Sequence, residues 1–181
     1  ALDLLIEAEH GMDSTVVLVS TDRKIVDAID IELDQLLKQM PTERASAARS
    51  ALGVNGGAVI VTTLAESCDV VNAFAPEHLQ IAIEHPRADE LVARINNAGE
   101  ILIGQDAPFS AANFVLGCPA SLPTNGFAAV SSGITVAAFM KTTAIASVSN
   151  AALRRMSSTI TCIADHEGFP AHGNALRKRF D

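Results

Sequence analysis

The residues of this chain that can do acid–base chemistry include one pair that stands side by side. Glu77 and His78 follow Pro76, in what the pattern predicts to be the loop after a helix. A histidine with its ordinary pKa near 6.5 is a ready general base, and a carboxylate next to it on a loop can face the same cleft. An ordinary exposed acid–base pair fits the same spacing, so the residues alone leave both interpretations open.

A second pair, Glu7 and His10, lies in an opening segment that has Leu2, Leu5 and Ala8 at helical spacing. Side chains at positions i and i+3 of a helix point the same way, so the two side chains could grip one cation. A solvated helix face is the simpler interpretation of this spacing. The pair therefore indicates a metal site only in combination with further ligands.

Glu167 and His172 lie at the start of the predicted last helix, and His85 and His166 are interpreted as surface residues. The chain contains no G-x-G-x-x-G, P-loop, H-E-x-x-H or G-x-S-x-G motif. The motifs alone therefore predict an α/β domain with a candidate metal site and no more.

The elements that must position these residues alternate between strands and helices over residues 14–104. The pattern predicts a helix at residues 1–11, a strand at 14–21, helices at 22–40 and 42–51, a strand at 58–62, a helix at 64–74, a strand at 80–84, a helix at 87–95 and a strand at 100–104. This order indicates βαβ units and a mostly parallel sheet. A loop-rich stretch follows, and the last third returns to helix.

The predicted fold class is therefore α/β, with a parallel-sheet βαβ domain of incomplete Rossmann-like type and a small helical C-terminal segment. We expect residues 1–140 to form the α/β domain with most site residues, and residues 141–181 to form the helical part. The chain starts with a helix and no strand before it, which indicates that an N-terminal half is missing.

Composition limits the classes of function that remain. The net charge of −8 and the absence of Trp and Tyr argue against a nucleic-acid partner, and the apolar runs are too short for a bilayer helix. The first ten residues lack the basic region of a signal peptide. Three cysteines without C-x-x-C spacing favour buried thiols in a reducing compartment. We expect a soluble, cytoplasmic protein without a membrane partner.

Five segments resemble the C-terminal part of histidinol dehydrogenases in order and spacing: DLLIEAEHG, NAFAPEHLQ, NAGEILIG, LPTNGFAAVSSGITVAAFMKTT and EGFPAHGNALRKR. The combination of APEHL, LPT-x-G and AH-x-x-A is specific to this family. The resemblance covers essentially the whole chain, but only about the last two fifths of the family's usual length. It implies an enzyme that depends on Zn²⁺ and NAD and oxidises an amino alcohol to the acid in two hydride steps.

The resemblance also implies roles for individual residues. Glu77 and His78 match the family's adjacent acid and base. Glu167 matches a carboxylate that contacts the substrate, and the metal ligands, which also touch the substrate, fall on Glu7, His10, Asn113 and His172. In the family the last helix swaps across an intertwined homodimer, so Glu167 and His172 would serve the partner's site. The NAD contacts would lie outside this chain.

Four positions depart from the family pattern. Glu7 replaces a glutamine and Asn113 an aspartate, which together leave one carboxylate, one amide and two imidazoles, a set that keeps the ligand charge. Pro119-Ala120 replaces the usual Asn-His, which leaves open both histidinol and another small polar alcohol as the substrate. The alternative is a non-catalytic, metal-free relative that acts as a dimerising or binding module.

Overall fold

The computed structural model describes residues 1–83, 87–119, 121–122 and 126–180. The surface assignment of His85, the departure at Ala120 and the Pro123-Thr124 pair of the family motif lie outside these residues. The chain divides into two compact units, Ala1–Phe139 and Met140–Asp181, and each unit is described here by itself. Among the described residues, no helix combines the length and the apolar character needed to cross a membrane.

The first unit alternates helices and strands, in agreement with the α/β pattern of the sequence. Its elements are α1 (Leu2–Ala8), β1 (Val17–Ser20), α2 (Arg23–Leu37), α3 (Thr42–Gly53), β2 (Gly57–Ile60), α4 (Leu64–Phe74), β3 (His78–Ile81), α5 (Arg87–Val92), β4 (Glu100–Ile103) and α6 (Phe109–Phe114), followed by 3₁₀ turns at Phe127–Ala129 and Val136–Phe139. The predicted helices and strands are all present, with shifted boundaries.

The strands are parallel, as predicted, and the described residues form two separate two-stranded sheets. Strand β1 pairs with β2, and β3 pairs with β4 in a register that sets His78 opposite Glu100. Parallel strands need a crossover between them, which α2 and α3 supply for the first pair and α5 for the second. The chain is therefore a mixed α/β protein with short parallel strand pairs.

Local capping explains where the helices of this unit begin and end. The Asp22 carboxylate accepts a hydrogen bond of 2.8 Å from the Lys24 N–H at the start of α2, and Thr63 caps α4 in the same way. Helix α4 ends at Ala75, which has a left-handed backbone with φ of 53°. That conformation is uncommon for a residue other than glycine, and it turns the chain directly into Pro76 and strand β3.

Helix α6 was not predicted, because its residues lie in the loop-rich stretch after Gly104. It begins after Pro108, which cannot donate to the preceding turn but suits a helix start. Phe109 and Ala112 of α6 are buried against Leu102 of β4 and pack with Ile6 of α1. Burial of a phenylalanine side chain contributes about 1.5–3 kcal/mol, so packing outweighs the weak local signal of a six-residue helix.

The second unit contains two helices, α7 (Asn150–His166) and α8 (Pro170–Arg177), as the sequence predicted. Gly168 makes the turn between them with φ of 73°. Arg177 forms an ion pair with Asp165 at 2.6 Å, and the Arg154 guanidinium lies 4.3 Å from the centre of the Phe180 ring. These contacts hold the two helices together as a hairpin.

The prediction of buried thiols is correct for only one of the three cysteines. All three are free: Cys68 is buried, Cys118 is half-buried and Cys162 is exposed. Cys68 lies on the apolar face of α4 that packs against Ile81 and Leu91. Cys162 lies on α7, where its position in the helix turns it to the solvent.

Candidate active site

The sequence predicts His78 on a loop, and this prediction is wrong. His78 is the first residue of strand β3. The parallel ladder extends through Glu77, whose carbonyl accepts the Glu100 N–H at 3.0 Å. Opposite His78 in the register stands Glu100, and His78 Nδ1 is 3.0 Å from Glu100 Oε2. The two side chains are 13% and 4% exposed. The strand pairing therefore creates a nearly buried imidazole–carboxylate pair.

The contacts of the His78 ring leave one of its nitrogens available. A carboxylate only accepts hydrogen bonds, so Nδ1 carries the hydrogen that is donated to Glu100 and the lone pair is on Nε2. The Phe109 ring meets the imidazole edge to face, with the ring centres 5.4 Å apart and an angle of 69°. The ring is thus held from two sides, and Nε2 is the nitrogen that can take up a proton.

The side chain of Glu7 lies between two imidazoles. Its Oε2 is 3.8 Å from His78 Nε2 and 3.7 Å from His10 Nδ1. Both distances exceed that of a hydrogen bond. Its other oxygen, Oε1, is buried and has no hydrogen-bond partner among the described residues. A buried carboxylate oxygen without a partner is costly, so this oxygen is suited to a ligand.

Glu77 precedes His78 and is half-buried. Burial raises the pKa of Glu77 above its ordinary value, the His78 and His10 imidazoles oppose this shift, and the Glu7 carboxylate reinforces it. A carboxyl group with a raised pKa holds a proton at a higher pH than an exposed glutamate does. Perturbed pKa values of this kind are common at catalytic sites.

Asn113, a predicted metal ligand, lies on α6 and is half-buried. It follows Phe109 by four residues and so lies on the same face of the helix, the face that carries the contact with His78. Helix α6 packs against α1, which carries Glu7 but ends at Ala8, so that His10 lies just beyond it and not on the predicted helix of residues 1–11. The fold therefore brings the elements of these three residues together.

The other two predicted residues belong to the second unit. Glu167 follows α7 directly, as its C-cap, and His172 lies in the first turn of α8, with its ring 5.2 Å from that of Phe169. The predicted ligands Glu7, His10, Asn113 and His172 are thus divided between the two units. Their convergence on one ion stays a prediction.

The donor chemistry of the first unit fits part of a zinc site. The described residues contain no group of three His, Cys, Asp or Glu side chains arranged to hold a metal ion. Glu7 and His10 are nevertheless a carboxylate and an imidazole side by side, with one buried carboxylate oxygen unpartnered. Zinc is held by ligands of these types. The residues present in the first unit therefore fit two positions of a zinc site.

Sequence reasoning missed two polar residues beside His78. Glu100 is buried at the start of the apolar strand EILI, and Gln80 donates to the Gly104 carbonyl at 3.0 Å. The side-chain oxygen of Gln80 is buried and has no hydrogen-bond partner in the described part of the chain. The Glu100 carboxylate raises the pKa of the nearby Cys118 thiol. A charged residue that opens an apolar strand was the available signal, but its partner depends on the strand register.

A separate cleft of about 310 Å³ lies between α2 and the first strand pair. Its lining is mostly apolar and includes Leu18, Ile29 and Leu33, with Asp34 and Arg49 at its polar side. None of the candidate acid–base residues described above lines this cleft.

Comparison with known proteins shows which family the chain and its fold resemble. The family model for histidinol dehydrogenase matches residues 1–180. A histidinol dehydrogenase from Synechocystis is 41% identical over 99% of the chain and 41% of its own length. A protein named histidinol dehydrogenase homolog 2, from Mesorhizobium japonicum, is 40% identical over 97% of the chain and 40% of its own length.

A solved structure supports the same assignment. The crystal structure of histidinol dehydrogenase from Elizabethkingia anophelis superposes with a TM-score of 0.91 and 31% identity, over 99% of this chain and 40% of that one. The chain belongs to the histidinol dehydrogenase family. It spans about two fifths of the length of the curated relatives that it matches.

Proposed function

We propose that this chain is the C-terminal part of a zinc- and NAD-dependent dehydrogenase that oxidises a small polar alcohol, of the amino-alcohol type, through the aldehyde to the acid. The proposal rests on family membership and on the His78 imidazole, whose Nδ1 is bonded to Glu100 while Nε2 is left for a proton. Each of the two oxidations would release one hydride, for which NAD would be the acceptor, and water would supply the second oxygen of the acid. The protein is expected to act in the cytoplasm.

His78 is the general base of the proposed reaction. Its Nε2 removes the hydroxyl proton of the alcohol, and the ring is kept in place by Glu100 and Phe109. A positioned general base contributes about 100- to 10,000-fold to a rate. The 13% exposure of the side chain limits the access of bulk water to the ring.

Glu77 assists the second oxidation, in which water adds to the aldehyde. Burial raises the pKa of its carboxyl group, which makes the carboxylate a stronger base than an exposed glutamate. It can therefore accept a proton from the attacking water and hold it. Adjacent residues thus divide the two proton transfers between them.

Glu7 and His10, with Asn113 of α6 and His172, are proposed to hold the metal and, through it, the substrate. Bound zinc would supply a Lewis acid and NAD the hydride acceptor. His172 and Glu167, the proposed substrate-contacting carboxylate, belong to the second unit. We propose that they serve the site of a partner in an intertwined homodimer. The remaining contacts to NAD would come from parts of the protein outside this chain.

The replacement His78→Gln in the full-length protein tests the proposed base. We expect turnover of the alcohol with NAD to fall by about 100- to 10,000-fold, because the general base is lost. His166→Gln is the matched control, since His166 is exposed on α7, and its turnover should equal that of the wild type. Unchanged turnover in His78→Gln would contradict the proposal and favour the non-catalytic module.

A further inference from the structure

The carboxylate of Glu100 is an exception to the composition of the core. Among the residues that the structure describes, Glu100 is the only charged or polar residue that is buried, with a relative exposure of 7%. The other core residues are apolar or small. Placing a charge in an apolar environment is unfavourable unless it is paired and hydrogen-bonded. The position of Glu100 therefore calls for a hydrogen-bond donor close to its carboxylate.

The structure supplies that donor in His78. The parallel register sets the two residues directly opposite each other at the start of β3 and β4, so their side chains leave the sheet on the same face. The distance of 3.0 Å from Nδ1 to Oε2 is that of a good hydrogen bond. The other oxygen of this carboxylate, Oε1, is buried and has no hydrogen-bond partner among the residues that the structure describes. Glu100 is thus held through one oxygen by its strand partner His78.

The carboxylates around His78 do not contact it equally. Glu7 approaches Nε2, but at 3.8 Å, which is too long for a hydrogen bond. Glu100 bonds to the opposite nitrogen at 3.0 Å. Only Glu100 therefore determines which nitrogen carries the hydrogen, and the Nε2 side of the ring stays available on the side of Glu7 and His10.

We propose that Glu100 is a positioning residue for the base: by accepting a hydrogen bond from His78 Nδ1, it fixes the tautomer with the lone pair on Nε2 and fixes the orientation of the ring. This inference rests on the proposed function of His78. In His–carboxylate pairs of hydrolases, a carboxylate in this role holds the imidazole in its working tautomer, and an amide in its place permits the wrong one. Glu100 does not itself touch the substrate.

The test compares Glu100→Gln and Glu100→Asp with the wild type in the full-length protein. An amide can donate as well as accept, so glutamine permits either tautomer, whereas aspartate still only accepts. Glu90→Gln is the matched control, because Glu90 is an exposed glutamate on α5 of the same unit. The measurements are kcat and KM with the alcohol and NAD, and ¹⁵N NMR of histidine-labelled protein, in which His78→Gln identifies the signals of His78.

For Glu100→Gln we expect kcat to fall by about 10- to 1,000-fold, short of the full contribution of the base, while KM stays within about threefold. The ¹⁵N signals of His78 should change from the tautomer protonated on Nδ1 to one protonated on Nε2, or to a mixture. Glu100→Asp should keep the wild-type tautomer and a higher kcat than the glutamine variant. Glu90→Gln should match the wild type in every measurement.

Two results would overturn the inference: a kcat for Glu100→Gln within twofold of the wild type, or a fall in kcat with the tautomer unchanged. If the glutamine variant does not fold, Glu100→Asp decides, because loss of the Nδ1–H tautomer there contradicts the proposed role. The His78→Gln variant separates the two proposals. If it keeps full turnover, the proposed function fails; if it is inactive while Glu100→Gln is unaffected, only the positioning role fails.

Discussion

Replacing His78 with alanine is expected to destabilise the protein as well as to remove the base. The imidazole is 13% exposed and donates to the Glu100 carboxylate, which is 4% exposed. Alanine cannot donate, and its small side chain leaves the carboxylate buried without this partner. A loop histidine, as the sequence had predicted, would have no such effect on stability.

The structure sets the size of this effect. Leaving a buried acceptor unsatisfied costs about 1–3 kcal/mol, and loss of the edge-to-face contact with Phe109 costs about 0.5–1.5 kcal/mol more. We therefore expect His78→Ala to lower the free energy of unfolding by about 1.5–4.5 kcal/mol. His78→Gln should cost less, because its amide can still donate toward Glu100.

A double-mutant cycle with Glu100→Leu isolates the pair. In the Glu100→Leu background the buried carboxylate is absent, so His78→Ala should cost about 1–3 kcal/mol less than it does in the wild type. The measurement is chemical denaturation of the full-length protein at one protein concentration. His166→Ala is the control, and as an exposed substitution it should stay within about 0.5 kcal/mol of the wild type.

Two outcomes would refute the reasoning about this pair. The first is a loss in the free energy of unfolding of less than about 0.5 kcal/mol for His78→Ala, which is the range of surface substitutions. The second is an equal loss with and without the Glu100 carboxylate. Either result would mean that the hydrogen bond between β3 and β4 does not contribute to the stability of the fold.

Three further predictions concern the rest of the site. Burial raises the pKa of the Glu77 carboxyl group above its ordinary value of 4.5. The stability that the protonated group contributes is therefore present at a pH below 4.5 and is lost as the pH rises through the raised pKa. Glu77→Gln should be more stable than the wild type at pH 7 and equally stable near pH 4, and an equal difference at both pH values would contradict this. Asn113→Asp should raise zinc affinity, measured by competition with a chelator, because a carboxylate donates more charge than an amide; unchanged affinity would remove Asn113 from the ligand set. A protein truncated after Asp165 should lose dimerisation and bound zinc together. If the truncated protein sediments as a zinc-containing dimer, the proposed swap of the last helix onto a partner is wrong.

The order of elements could be predicted from the sequence, because each signal is local. The helical spacing after Asp22 and the β-branched run before it appear as α2 and β1, and the alternation of strands and helices implies parallel pairing by its connectivity. The predicted start of β3, at residue 80, was wrong. The prediction followed the apolar run around Leu79, whereas backbone pairing with β4 reaches back through His78 to Glu77.

The sequence by itself determined the βαβ organisation, the family resemblance and the candidate residues Glu7, His10, Glu77 and His78. Each of these depends on residue type and on short-range spacing. Motif identity also singled out Glu77 and His78 without knowledge of what surrounds them. Neither spacing nor motif identity contains the distance between α1 and β3.

Only the tertiary structure decided what these residues touch. The parallel register places Glu100 against His78, and the packing of α6 against α1 and β4 brings Phe109 onto the same imidazole. The physical reason is that burial and strand register depend on how distant segments pack, whereas helical period and turn chemistry depend on neighbours along the chain. The assignment of the hydrogen to Nδ1, and with it the proposal that Nε2 is the base, follows from a contact that no local pattern contains.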